Sequence, residues 1–431
     1  MKIILFKIIS ILILSGAVSA ETFSEALKKA YKNNSELNAE RESINISEQE
    51  HKVSVGAYLP KVTLSGSESQ EKTEKLTNQS GGNAGIDDVD PSTRSITITQ
   101  TLIDFGRGAE FEKSKIGINL AKAKLNKKEQ DILFKTVEAY SGLILANEKL
   151  EINKSNVNLL ERQVETDQIR LERGQITLSD VAQSESSLLG AQAKLIQAQN
   201  DLITSKLNYE NVIGTLDDPN LLTKNSILQI ELPLSLNEAI NKSKSSNPDL
   251  IIAELEYEQS KKDTVSAKSD LAPTANLSFD RTYNEDFSAT YDEREKDTLK
   301  ATVTWPFYSG GTNIASVRKT ESLELQKRLL LDSMSKKNQT TVASAWSSYQ
   351  SNKSLLNSVQ SQVRAAEIAN EGIVAEYNSG SGRTTLDVIQ SNALLLNAQI
   401  SLADSERNYI LSQFNLLKSI GLLNSEYLNI N

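Results

Sequence analysis

The chain has 431 residues, no cysteine, 47 basic against 56 acidic side chains and only 5% aromatics. The missing cysteines exclude disulfides and thiolate metal sites, and the acidic balance lacks the basic footprint that a nucleic-acid partner requires. So few aromatics, with heavy Ser, Asn, Gln and Lys usage, argue against one large globular core.

The chain opens with Met1-Lys2 and Lys7, an apolar run Ile8–Leu14, then Gly16-Ala-Val18-Ser-Ala20. This order predicts a secretory signal over residues 1–20. The run is too short for a spanning helix of ~20 residues, and no later stretch approaches that length. No Cys follows the cleavage site, so no lipid anchor is expected. Removing Lys2 and Lys7 leaves 45 basic residues against 56 acidic ones, a net charge of −11.

The remainder is written twice. Phe23-Ser-Glu-Ala-Leu27 returns as Leu236-Asn-Glu-Ala-Ile240, Asn34-Ser-Glu-Leu37 as Asn247-Pro-Asp-Leu250, and Leu59-Pro60 as Ala272-Pro273. Asp180, Gln183, Leu188, Ala191 and Gln192 return as Asp387, Gln390, Leu395, Ala398 and Gln399. The first repeat, 21–214, predicts a helix over Thr22–Tyr58, strands at ~61–70 and ~93–104, a helix over Arg107–Glu172 and another over Leu178–Val212. A linker, 215–234, follows. The second repeat, 235–421, predicts a helix over Leu236–Leu271, strands at ~274–283 and ~298–308, and helices over Asn313–Asn378 and Thr385–Ser419. A tail, 422–431, ends the chain.

Each 66-residue helix would be roughly 99 Å long, which implies coiled-coil packing. The shorter partner helix carries the seam Leu188, Ala191, Leu195, Ala198, Leu202, Ser205, Tyr209 and Val212, spaced alternately by three and four. That period specifies left-handed knobs-into-holes packing. The strands have period two. Ile96 and Ile98 alternate with Thr97 and Thr99, and Leu299, Ala301, Val303, Trp305 and Phe307 with Lys300, Thr302 and Thr304. Val62, Leu64, Leu277 and Phe279 mark weaker partners. The connections Glu68–Pro91 and Tyr283–Asp297 read as solvated hairpin loops.

Four strands cannot satisfy their own edges. In an exported chain without apolar helices, lipid is the solvent for their dry face, and a sheet in lipid closes into a barrel. Barrels begin at eight strands. Two copies would supply eight strands and three copies twelve, and a lumen favours twelve.

Taken together, these features resemble the TolC-like outer-membrane channel proteins. The resemblance rests on the doubled entry motif, Asp104-Phe-Gly-Arg107 and Ser309-Gly-Gly-Thr312, and the turn-then-helix motif Gly174…Asp180-Val181…Gln183 with its copy Gly382-Arg-Thr-Thr-Leu-Asp387-Val-Ile-Gln390. It implies a homotrimer in outer-membrane lipid. Its fold class would be α+β: a twelve-stranded β-barrel continued by a twelve-helix periplasmic barrel. It further implies an exit duct for an inner-membrane pump joined by a periplasmic adaptor protein, through efflux or type I secretion. The turns at Gly174, Gly380 and Gly382 would form the periplasmic mouth and the adaptor contact. Trp305, Phe307 and Tyr308 would mark a membrane interface.

By the same resemblance, Arg383 and Tyr377 tie the second hairpin to Asp180, and Asp387 rings the constriction. Gln390 stands one turn further on, where a second acidic residue would make a double ring. The alternative is that Asp180 and Asp387 each serve a helix start, where a carboxylate is favoured. No catalytic, metal or cofactor constellation emerges: His51 is the single histidine, and Gly81-Gly82 and Gly310-Gly311 lack a following Lys-Ser/Thr. A duct dedicated to protein secretion and a non-conducting coiled-coil spacer or adhesin are the rival readings.

Overall fold

The computed structural model describes residues 22–72, 74–75, 77, 80–82, 88–216, 222, 224, 230–288, 291–380 and 382–430. The expected signal, 1–20, lies outside these residues, as do parts of the linker 215–234 and of the connection 68–91. In chain order the elements are α1 (Phe23–Asn33), α2 (Ser35–Gly56), β1 (Lys61–Glu68), β2 (Ser92–Ile103), α3 (Arg107–Glu172) and α4 (Leu178–Val212). The series repeats as α5 (Leu236–Ser246), α6 (Pro248–Ser269), β3 (Thr274–Ser288), β4 (Tyr291–Thr304), α7 (Thr312–Ser379) and α8 (Thr385–Ile420). Two compact units result. One holds the described residues up to Ser35, Glu129–Ala239 and Val342 onward, and the other Glu36–Lys128 and Ile240–Thr341. Each unit therefore draws on both repeats.

Two expected single helices are each broken in two. Asn34 has extended backbone (φ −66°, ψ 121°) between α1 and α2, and Asn247 does the same (φ −70°, ψ 118°) between α5 and α6. The reason is local. The Asn247 side chain accepts from the Leu250 amide at 3.2 Å, and Pro248 opens the next helix where no donor is needed.

The second unit contains one antiparallel sheet in the order β1-β2-β3-β4. Its register sorts the side chains over four rows, with Arg281 and Asp297 as the exceptions on the aliphatic face. One face carries the rows Val62–Ile98–Phe279–Leu299 and Leu64–Ile96–Arg281–Asp297. The other carries Lys61–Thr99–Ser278–Lys300 and Thr63–Thr97–Asp280–Thr298. Among the described residues, β1 and β4 each pair along one edge only.

The connection expected as loop over Tyr283–Asp297 is largely strand, with β3 running to Ser288 and β4 starting at Tyr291. Its charges are only partly complementary: Arg281 lies 3.6 Å from Glu295 and 3.8 Å from Asp297, whereas Glu285 stands opposite Glu293. Such exposed pairs contribute little, so the backbone ladder holds the extension. At the other end β4 stops at Thr304 rather than near 308, because Pro306 has no N–H for the ladder.

The first unit is built around Phe23, Leu27, Leu133, Tyr140, Leu143, Tyr209, Phe414 and Leu417, all fully or nearly fully buried. Phe23 meets Tyr140 and Phe414 edge-on at 5.1 and 5.6 Å. The tail closes this core: Leu423, Leu428 and Ile430 are buried in it, after Gly421 (φ 93°) ends α8. Away from that core the seams match between repeats. Val157 and Leu160 of α3 pack on Ala191, Leu188 and Leu195 of α4. Val363 and Ala366 of α7 pack likewise on Ala398, Leu395 and Leu402 of α8.

Candidate functional site

Two helical turns of the first unit hold the charged residues singled out in the sequence. Helix α3 ends where Gly174 takes φ +68°. There the Gln175 amide donates to the Arg170 carbonyl and the Gly174 amide to the Leu171 carbonyl, both at 2.9 Å, which satisfies the last carbonyls of the helix. Thr177 then starts α4: Asp180 accepts from the Thr177 amide (2.8 Å) and hydroxyl (2.7 Å). The second turn uses Gly380 (φ +77°) and Gly382 (φ +85°). Asp387 accepts from the Thr384 amide and hydroxyl, both at 2.9 Å. Both aspartates thus complete capping boxes. Thr177, through its hydroxyl and then its amide, holds the Asp180 carboxyl below the ordinary aspartate range. For Asp387 the Thr384 amide is the larger cause, then its hydroxyl, with Arg383 adding a little.

Beside these caps lies a buried polar cluster. Asp167 of α3 is fully buried and accepts from the Tyr377 hydroxyl at 2.6 Å, from Ser184 at 2.5 Å and from Gln163 at 3.0 Å. Tyr377, 3% exposed, also meets the Thr385 hydroxyl at 3.0 Å. The Arg170 guanidinium sits 4.0 Å from the centre of the Tyr377 ring and donates to the Tyr377 carbonyl at 3.2 Å. Four helices, α3, α4, α7 and α8, are joined through one phenol and one carboxylate. Burial, then the bond to Asp167, pushes the Tyr377 phenol above its ordinary value.

The expected tie from Arg383 and Tyr377 to Asp180 is not formed in this chain. Thr177 engages the Asp180 carboxylate, and Arg383 donates instead to Glu376 of its own hairpin at 2.6 Å. Tyr377 bonds Asp167 rather than Asp180. The structure does bring Asp180, Tyr377 and Arg383 to the wall of one cavity of about 560 Å³, with Arg170 and Thr385. Gln390 is exposed, a turn beyond Asp387. Trp305, Phe307 and Tyr308, at the other unit's sheet, are exposed in the single chain, with Trp305 and Phe307 edge-on at 5.9 Å.

Sequence reasoning missed Asp167, Arg170, Ser184 and Thr385. A signal was present. Arg170 and Tyr377 stand at the same place in the two repeats, 207 positions apart, so a cation and an aromatic stack where the duplication meets itself.

Comparison with known proteins places this geometry in context. Residues 26–215 and 239–422 match the family model described as outer membrane efflux protein. The chain is 27% identical to the outer membrane efflux protein BepC of Brucella suis biovar 1 (strain 1330), over 97% of this chain and 89% of that one. It is 22% identical to the proteases secretion protein PrtF of Dickeya chrysanthemi, over 95% and 90%. Among solved structures, the CmeC outer membrane channel of Campylobacter jejuni superposes with a TM-score of 0.80 at 14% identity, over 93% of this chain and 85% of that one.

Proposed function

The chain belongs to the outer membrane efflux protein family and is an exit duct of the outer membrane; from that premise we propose how it is assembled and closed. Three copies join edge to edge, β4 of one beside β1 of the next, to make twelve strands. The apolar face meets lipid, Trp305, Phe307 and Tyr308 anchor one interface, and the threonine face lines water. The helices are periplasmic. The turns at Gly174, Gly380 and Gly382 receive a periplasmic adaptor, and an inner-membrane pump supplies the energy. A single observation carries this reading: the register puts the strands' aliphatic residues on one face while both outer edges of the sheet stay open.

Closure rests on the cluster at the turns. The bond from Tyr377 to Asp167, steadied by Arg170, clasps the α7/α8 hairpin to the α3/α4 hairpin, and three copies of Asp387 ring the constriction and favour cations. Gln390 leaves that ring single rather than double.

Planar-bilayer recording tests both parts. The wild-type protein should form discrete low-conductance channels, and Tyr377→Phe combined with Asp167→Asn should raise the single-channel conductance severalfold. Absence of any channel from correctly folded protein would sink the duct. Unchanged conductance in the double variant would sink the clasp alone.

A further inference from the structure

The two faces of the sheet differ in the sign of their charge as well as in polarity. On the polar face, the four rows shared by all strands carry Lys61, Lys300, Lys296 and Arg294, against one carboxylate, Asp280. The remaining positions of those rows are Ser, Thr and Asn. The opposite face, beyond its apolar rows, carries Arg94 and Arg281 against Glu68, Glu285, Glu293, Glu295 and Asp297. Asp292 lies past the last shared row. Lys61, Lys296 and Lys300 are exposed and enter no ion pair among the described residues. By contrast, Arg94 and Arg281 on the other face lie within 3.6 Å of Glu285 and Glu295. Those three lysines thus lie open to whatever passes the polar face, while Arg294 sits 5.3 Å from the centre of the Phe287 ring.

We infer that the strand segment of the duct is an anion-selective collar, through which solutes of net negative charge pass preferentially. The inference rests on the barrel proposed above. Four cations less one carboxylate leave three positive charges per chain, and so nine around a closed ring. Twelve strands spaced about 4.8 Å apart and tilted about 40° close at a radius of about 12 Å. Lysine side chains reach inward from that wall, and the Debye length in 0.1 M salt is about 10 Å. The field of the ring therefore extends to the axis and is focused by the low-dielectric wall. An acidic cargo is attracted at the collar, whereas the Asp387 ring at the periplasmic mouth has the opposite sign. The two ends of the duct then filter by different rules, and the collar sets the preference at the outer end.

The test is the K⁺/Cl⁻ permeability ratio of the full-length protein in planar bilayers, read from reversal potentials at about 0.1 M KCl, where screening is incomplete. Lys61→Gln, Lys296→Gln and Lys300→Gln together should raise the ratio by at least about twofold. Lys296→Gln and Lys300→Gln alone should each move it in the same direction, so the result does not depend on the triple variant folding. Glu295→Gln, on the opposite face, should leave the ratio unchanged. A ratio indifferent to the lysine variants overturns the collar while leaving the duct intact. A shift with Glu295→Gln as large as that with Lys296→Gln overturns the assignment of faces. No channel in the wild-type protein overturns the duct itself.

Discussion

Asp167 shows how one side chain acquires its role from neighbours rather than from its own position. A buried carboxylate is costly unless its oxygens are hydrogen-bonded, and here a tyrosine, a serine and a glutamine supply the donors. Removing the phenol hydroxyl by Tyr377→Phe takes one donor away, at about 1.5–3 kcal/mol for a bond to a charged acceptor. Hydrogen exchange of the amides around Asn378–Val388 should quicken accordingly, and unchanged protection would refute the clasp's contribution. Asp180 and Asp387 behave differently because they are half-exposed caps. Their carboxyls lie below the ordinary aspartate value of 3.8. The stabilisation they lend is fully present above that value and is lost as pH falls through the lowered one. Protection of the Thr177 and Thr384 amides should therefore be constant near neutrality and collapse only in that acid window. Loss of protection already at mildly acid pH would contradict the assignment.

Among the elements, the paired seams give the duplication its energetic content. Ala191 and Ala398 are 4% and 1% exposed and occupy the same seam position on α4 and α8. Ala191→Leu and Ala398→Leu should each destabilise by about 1–3 kcal/mol through overpacking, seen as earlier thermal unfolding. Losses of the same order are expected at both sites, since Val157, Leu188 and Leu195 around Ala191 are matched by Val363, Leu395 and Leu402 around Ala398, with Ala366 in place of Leu160. The extension of β3 and β4 through a run of alternating charges makes a related point. Charges exclude a strand from a core, but not from a hydrogen-bonded ladder whose charged side chains still reach water.

For the whole molecule, the unpaired edges of β1 and β4 decide the assembly. The chain has no cysteine, so introduced thiols report without background. Thr63→Cys on β1, combined in turn with Thr298→Cys, Lys300→Cys or Thr302→Cys on β4, places both thiols on the polar face. A disulfide needs Cα atoms within about 7 Å, so one register should yield disulfide-linked trimers on oxidation. Monomer throughout the series would rule out the closed barrel. The interleaving of the two repeats in each compact unit has a related consequence: neither repeat is expected to fold when expressed alone, because each lacks half of both units.

Periodicity is written locally, and so the sequence alone determined the two copies, the order of the strands and long helices, the bounds of α3 and the alternation of the sheet's two faces. Alternation at period two or 3.5 needs no distant partner to be read. The partners themselves came only with the tertiary structure. Asp180 and Asp167 are both carboxylates near the same turn, and nothing local says which one Tyr377 reaches. That choice follows from Thr177 engaging one of them and from four helices burying the other. The charge on each face of the sheet likewise needed the register, since a lysine one residue along a strand points to the opposite side.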